Sequence, residues 1–200
     1  MHYYTDIKLI TDTEITLGFI WQKVYLQIHL ALVERRDADN KLSIGLAFPQ
    51  YQKEAFPLGS VLRIFAETKE ELEKLNINHW LARLLDYIEI SKIQEVPKEI
   101  KTFASFGRKQ FKSNAEIRRL AKRHAKRNNI SEEEALSLYA NTEEKYKKLK
   151  EKNKLPFLNI KSLSNGHPMK IFIVKKESPK EHKGNFNTYG LSNTSTLPMF

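Results

Sequence analysis

Between residues 3 and 93 the spacing of apolar side chains runs through strand, helix, strand, strand, helix and strand, and that order constrains the fold more than any other feature. Thr5, Ile7 and Leu9 alternate with Asp6 and Lys8, the period-two pattern of a strand. Leu17, Trp21, Val24, Ile28 and Leu32 recur at helical spacing over residues 17–34. Leu42, Ile44, Leu46 and Phe48 alternate again, and Pro49 ends that strand. Residues 60–66 predict a third strand. Thr68 with Glu71 three positions later is a capping box, which opens a helix over TKEELEKL. Residues 87–93 predict a fourth strand before Pro97. Such an order predicts a ferredoxin-like four-stranded antiparallel sheet with two helices on one face, a framework shared by RNA-binding modules and by many unrelated proteins.

After Pro97 the character changes, so residues 1–97 and 98–200 are expected to form separate domains, the second an α/β domain carrying a basic helix. The fold class is α+β. Residues 102–114, TFASFGRKQFKSN, are polar and basic, punctuated by glycine and aromatics. A basic helix follows, and Ser131 with Glu134 announces another that runs on into the lysine-rich EEKYKKLKEKNK. Residues 155–160 and 169–174 predict two strands around the turn SNGHP.

The basic helix accounts for much of the charge. The chain has 34 Lys and Arg against 24 Asp and Glu, a net charge of +10. Arg118, Lys122 and Lys126 form one row at i, i+4, i+8, and Arg119, Arg123 and Arg127 the next. At about 100° per residue these rows cover about half the helix circumference. Ile117, Leu120, Ala121 and Ala125 lie opposite, and His124 falls on their side as a packed or boundary residue. Solvated helices normally mix signs to gain ion pairs at i, i+4 of about 0.3 kcal/mol each. A stripe of one sign points instead to a polyanion whose phosphates neutralise it. Lys112 precedes the helix, as do Arg108 and Gln110, whose side chains can pair bidentately with guanine and adenine edges. A membrane surface suits the helix less well, because its apolar side is narrow and lacks aromatics. No stretch is apolar enough to span a bilayer, and MHYYTDIKLI lacks a signal-peptide layout, so a cytoplasmic protein is expected.

The chain contains no cysteine, which removes disulfides, zinc–thiolate sites and thiol catalysis. None of its 6 histidines stands at a metal-ligand spacing, so neither metal nor cofactor is expected. His29 lies at the edge of the apolar face of the first helix, held in place yet open to solvent. That suits proton transfer, although position alone fits a structural boundary histidine as well. Ser162 and Ser164 sit where LPFLNIK enters its turn, a place where serines commonly serve turn chemistry. Tyr189, in NTYGLS, marks a strand meeting a turn.

Taken in order, YYTDIKL, the His29 helix, LSIGLAFP, RKQFKSN before a basic helix, SEEEA, LPFLNIKSLSNG with MKIFIV, and YGLS resemble the type I-F CRISPR-associated endoribonucleases that process precursor CRISPR RNA. The resemblance implies metal-independent cleavage at the base of the repeat stem–loop. A ribose 2′-hydroxyl would attack the adjacent phosphate, giving a 2′,3′-cyclic phosphate, and the protein would keep the mature guide RNA. It implies His29 in proton transfer, Ser162 positioning the hydroxyl and Tyr189 fixing the imidazole. Arg108 and Gln110 would read stem bases, the basic helix would enter the major groove, and Ser164 and Asn165 would contact RNA. A family phenylalanine that stacks on a base is replaced here by Met169, and the basic helix is spaced differently from the family pattern. Other subunits of a type I-F surveillance complex are implied as partners. Rival readings are a hairpin-holding subunit without cleavage, a structural RNA-binding protein, and a metal-dependent nuclease, which would need clustered carboxylates.

Overall fold

The computed structural model describes residues 1–11, 14–111, 114–139, 154–161 and 166–200. Lys112, Ser162, Ser164, Asn165 and nearly all of the lysine-rich stretch lie outside them.

The first sheet follows the alternation that predicted it. Strand β1 (Tyr3–Leu9) pairs antiparallel with β3 (Val61–Ala66) on one side and β4 (Ile88–Ile90) on the other. β2 (Gly45–Ala47) adds to β3, and the two-residue β5 (Gln94–Glu95) pairs with the start of β1. The order is β2-β3-β1-β4, every pairing antiparallel. Helix α1 (Leu17–Arg35) joins β1 to β2. Helix α2 (Lys69–Leu75) leads through the short α3 (Ile77–Trp80) and a 3₁₀ turn to β4. The box opening α2 is complete: Thr68 Oγ1 accepts from the Glu71 amide at 3.2 Å, and the Glu71 carboxylate accepts from the Thr68 amide at 3.1 Å. This is the α+β element order on which the ferredoxin-like expectation rests.

A second sheet has the order β7-β8-β6-β9, built from β6 (Thr102–Lys109), β7 (Phe157–Lys161), β8 (Pro168–Ser178) and β9 (Leu197–Met199). Strand β6 has no counterpart among the sequence expectations, which treat residues 102–114 as an irregular basic segment. Ala104, Ser105, Phe106 and Gly107 are buried in succession, so the strand lacks alternation. Its burial comes from outside the segment. Phe106 packs edge-on against Phe48 at 5.4 Å and Tyr51 at 6.1 Å between ring centroids. A side chain on Gly107 would collide with Asn193.

The chain divides into two compact units, one of residues 1–108 with 156–200 and one of residues 109–155, rather than at Pro97. The physical reason is a single core. In the first unit Trp21, Tyr25, Ile28 and Phe65 share one apolar cluster with Phe106, Ile160, Ile171 and Leu197 of the second sheet. α1 packs against both β1 and β7 and buries Ile20, Trp21, Val24, Tyr25, Ile28, Ala31 and Leu32. Each such side chain of Val or larger size, fully buried, contributes about 1.5–3 kcal/mol.

The second unit contains α4 (Asn114–Asn128) and α5 (Glu132–Tyr139). Ser131 Oγ accepts from the Glu134 amide at 3.0 Å, and the Glu134 carboxylate accepts from the Ser131 amide at 3.0 Å, the predicted capping box. Ala121, Ala125 and Ala135 form its buried cluster, with Ile130 against it.

Candidate active site

His29 is half-buried on α1 because Ile28 and Leu32, beside it, are drawn wholly into the core. Its Nδ1 lies 2.7 Å from the carbonyl oxygen of Thr188. A carbonyl only accepts, so Nδ1 carries a proton, and in the neutral ring Nε2 is the nitrogen with the lone pair. The ring of Tyr189 stacks on the imidazole, with centroids 4.2 Å apart and planes 5° from parallel. Burial pushes the His29 pKa below its ordinary 6.5; the Thr188 carbonyl opposes the shift and the Arg108 charge adds to it. Burial thus favours the neutral form of the imidazole.

The loop that supplies Thr188 and Tyr189 is fixed from several directions. Asn187 Oδ1 accepts from the amides of Tyr189 at 2.9 Å and Leu191 at 3.3 Å, an Asx-type turn. Gly190 has φ +68°, and a β-carbon there would approach Leu46 Cγ to 2.3 Å. The Gly190 carbonyl accepts from the Leu46 amide at 2.8 Å. The buried hydroxyl of Tyr25 donates to the Tyr189 carbonyl at 3.0 Å. Its own pKa is raised far above the ordinary value, chiefly by burial, so it stays a donor.

Arg108, near the end of β6, holds its guanidinium 5.0 Å from the Tyr189 ring centre. Its Nε is buried and has no hydrogen-bond partner among the described residues. A groove of about 340 Å³ opens beside His29, lined by Leu30 and Val33 of α1, by Arg36 just past its end, by Lys161 and Met169 of the β7–β8 hairpin, and by Tyr189.

Of the residues singled out in the sequence, the structure thus brings His29, Tyr189 and Arg108 into one cluster and places Met169 on the adjoining groove. Ser162, Ser164 and Asn165 lie outside the described residues, though Lys161, next to Ser162, is on the groove. Thr188 and Tyr25 were missed. Thr188 acts through its backbone and so leaves no mark in residue type, and Tyr25 reads simply as core. Asn187 before Gly190 is a turn signal that could have been found.

In the second unit Gln110 is exposed. Arg118, Arg119, Lys122, Arg123, Lys126 and Arg127 are all exposed on α4, while His124 is half-buried on the side of Ala121 and Ala125. One detail departs from an unpartnered stripe: Lys122 Nζ lies 3.7 Å from Glu132 of α5. Both side chains are largely exposed, so this pair is worth about 0–1 kcal/mol and leaves the helix strongly cationic. Among the described residues no three His, Asp or Glu side chains gather as metal ligands, and no helix is long and apolar enough to cross a membrane.

The described residues thus form an α+β scaffold with a half-buried imidazole held by a backbone carbonyl and a helix with an exposed cationic face. Comparison with known proteins makes the class specific. The chain belongs to the family described as CRISPR-associated protein (Cas_Csy4), whose model matches residues 4–200. It is 34% identical over 201 residues to the CRISPR-associated endonuclease Cas6/Csy4 of Escherichia coli (strain UTI89 / UPEC), covering 100% of both chains. The resemblance carried by the sequence motifs therefore holds over the full length.

Proposed function

We propose that this chain is an endoribonuclease that cuts precursor CRISPR RNA at the base of the repeat stem–loop without a metal ion and then retains the mature guide. Membership of the family and an endonuclease relative of equal length support the activity. The single observation that carries the chemistry is the His29 bond to Thr188, which makes Nε2 the accepting nitrogen of the neutral ring in a half-buried site.

In the proposed reaction Nε2 takes the proton of the ribose 2′-hydroxyl upstream of the cut. The 2′-oxygen bonds to phosphorus, and the bond from phosphorus to the 5′-oxygen breaks. That oxygen leaves with a proton as a 5′-hydroxyl, and the upstream product ends in a 2′,3′-cyclic phosphate. Ser162 would position the attacking hydroxyl, while Tyr189 holds the imidazole plane by stacking. General base help of this kind contributes about 10²–10⁴ in rate, and positioning can contribute as much or more.

Arg108 and Gln110 would read stem bases, and the cationic face from Arg118 to Arg127, with Lys112 before it, would neutralise phosphates. Ser164 and Asn165 would contact the RNA beyond Ser162. Family membership also makes a cytoplasmic setting and other subunits of a type I-F surveillance complex the proposed context.

The test is incubation in excess chelator with the repeat hairpin from the chain's own locus, beside the same RNA carrying one 2′-deoxy at the junction below the stem. Cleavage of the all-ribose RNA alone, ending in a cyclic phosphate, is the expected result. Tight binding of both without a cut would leave a protein that only holds the hairpin, and cleavage that returns only with added metal would defeat the mechanism.

A further inference from the structure

We infer that Tyr25 is a positioning residue that decides which nitrogen of His29 carries the proton, by holding the turn whose carbonyl His29 meets. This deepens the proposed cleavage reading and rests on it only for the use made of Nε2.

Tyr25 and His29 stand at i and i+4 on α1, so they lie on one side of the helix. Facing them, the chain makes a tight turn over residues 187–190, closed by the Gly190 amide donating to the Asn187 carbonyl at 2.8 Å. Thr188 and Tyr189 are its two central residues and belong to no strand. Their carbonyls both accept from α1, that of Thr188 from His29 Nδ1 at 2.7 Å and that of Tyr189 from the Tyr25 hydroxyl at 3.0 Å. Two side chains one helical turn apart thus grip two consecutive peptide groups. Tyr25 is the anchor of the pair, because its ring is wholly buried in the core it shares with Trp21 and Ile28, whereas His29 is half-buried.

The stacked ring of Tyr189 cannot make the choice between nitrogens. Stacking fixes the plane of the imidazole, but a half-turn about its Cβ–Cγ bond keeps that plane and exchanges Nδ1 with a carbon. Only a directional acceptor separates the two orientations. In a neutral histidine without such a bond the proton favours Nε2, the atom the proposed reaction needs as its acceptor. The Thr188 carbonyl reverses that preference for as long as the turn stays in place. Asn187 shapes the turn, and the Gly190 carbonyl ties it to Leu46 of β2. The Tyr25 bond is what ties it to the helix that carries His29.

The test compares Tyr25→Phe with Tyr51→Phe. Tyr51 is a matched control, since its hydroxyl donates to the carbonyl of Ile173 at 2.8 Å in the same core, outside the turn. Nitrogen-15 spectra of the RNA-free protein, recorded well above the pKa of His29, give the share of each tautomer. The signal absent from His29→Ala is the one to follow. Wild-type His29 should carry its proton chiefly on Nδ1. Tyr25→Phe should move the ratio of tautomers towards Nε2 by about fivefold, the equilibrium equivalent of one net hydrogen bond. The single-turnover cleavage rate at saturating RNA should fall in proportion to the share protonated on Nδ1. Hairpin affinity should stay at the wild-type value, which also verifies folding. Tyr51→Phe should change neither ratio nor rate. An unchanged ratio in Tyr25→Phe, or an equal change in Tyr51→Phe, overturns the inference. A shifted ratio that the rate does not follow would uphold the role of Tyr25 and defeat the reading of Nε2 as the base. The ratio is measured without RNA, so it stands whether or not wild-type protein cuts in chelator.

Discussion

His29 stands among large side chains, with Tyr25 and Ile28 fully buried beside it, a stacked tyrosine and a carbonyl fixed at 2.7 Å. The six cations of α4 stand on a helix whose buried cluster, among the described residues, is its own Ala121 and Ala125 with Ala135 of α5, and Ile130 partly buried against them. One region orients a single nitrogen, the other spreads charge over a surface. Proton transfer needs reacting atoms placed to a fraction of an ångström, and only a densely packed core resists displacement that well. Phosphate attraction falls off gently with distance and tolerates mobile side chains, so a thin core suffices. The two regions should accordingly fail in different ways when altered.

The largest expected separation is between His29 and the helix. His29→Ala should lower the single-turnover cleavage rate by about 10²–10⁴ while hairpin affinity stays within a factor of about two. If replacing Arg119 and Arg123 lowered the rate at saturating RNA as far, the division of labour would be wrong.

Next comes the loop that holds the imidazole. Gly190→Ala imposes a β-carbon at φ +68° and 2.3 Å from Leu46. It should cost about 1–3 kcal/mol in urea denaturation and slow cleavage by displacing Thr188 and Tyr189. Ordinary stability with a normal rate would mean that the loop does not position His29.

Arg119→Gln with Arg123→Gln should act through salt. The slope of log affinity against log salt should become shallower by about 0.9 for each duplex phosphate left without a cation, with the saturated rate unchanged.

A finer probe is the pH profile. Cleavage requires the neutral imidazole, whose pKa burial has lowered, so activity should be flat at neutral pH and fall only below pH 6.5. Arg108→Gln removes a charge that disfavours the imidazolium. The acid limb should then move upward, towards the ordinary histidine value. Among the described residues, Tyr25, Tyr189, Arg36 and Lys161 are the other titratable or charged groups around the site. The smallest change is Glu132→Gln, which breaks the Lys122 pair and should alter stability by under about 1 kcal/mol.

Much of this molecule was legible beforehand because its signals are local. Alternation at Ile7 and Leu9, helical spacing from Trp21 to Leu32 and two capping boxes all appear as elements where they were expected. The cationic rows of α4 needed only the helical period. The strand β6 was invisible because Ala104, Ser105 and Gly107 lie in a strand buried by Phe48, Tyr51 and Asn193, distant in the sequence.

The same distinction governs the site. Residue types and spacing alone determined that the chain would be an α+β protein with one edge histidine and a helix bearing a cationic stripe. That information is carried by neighbours within a few residues, where backbone periodicity acts. Only the tertiary structure decided that His29 meets Thr188, 159 residues away, and that Arg108 lies over Tyr189. Which nitrogen of the imidazole carries the proton follows from that long-range pairing, since a backbone carbonyl looks the same in every residue type and acquires its meaning from where the fold puts it.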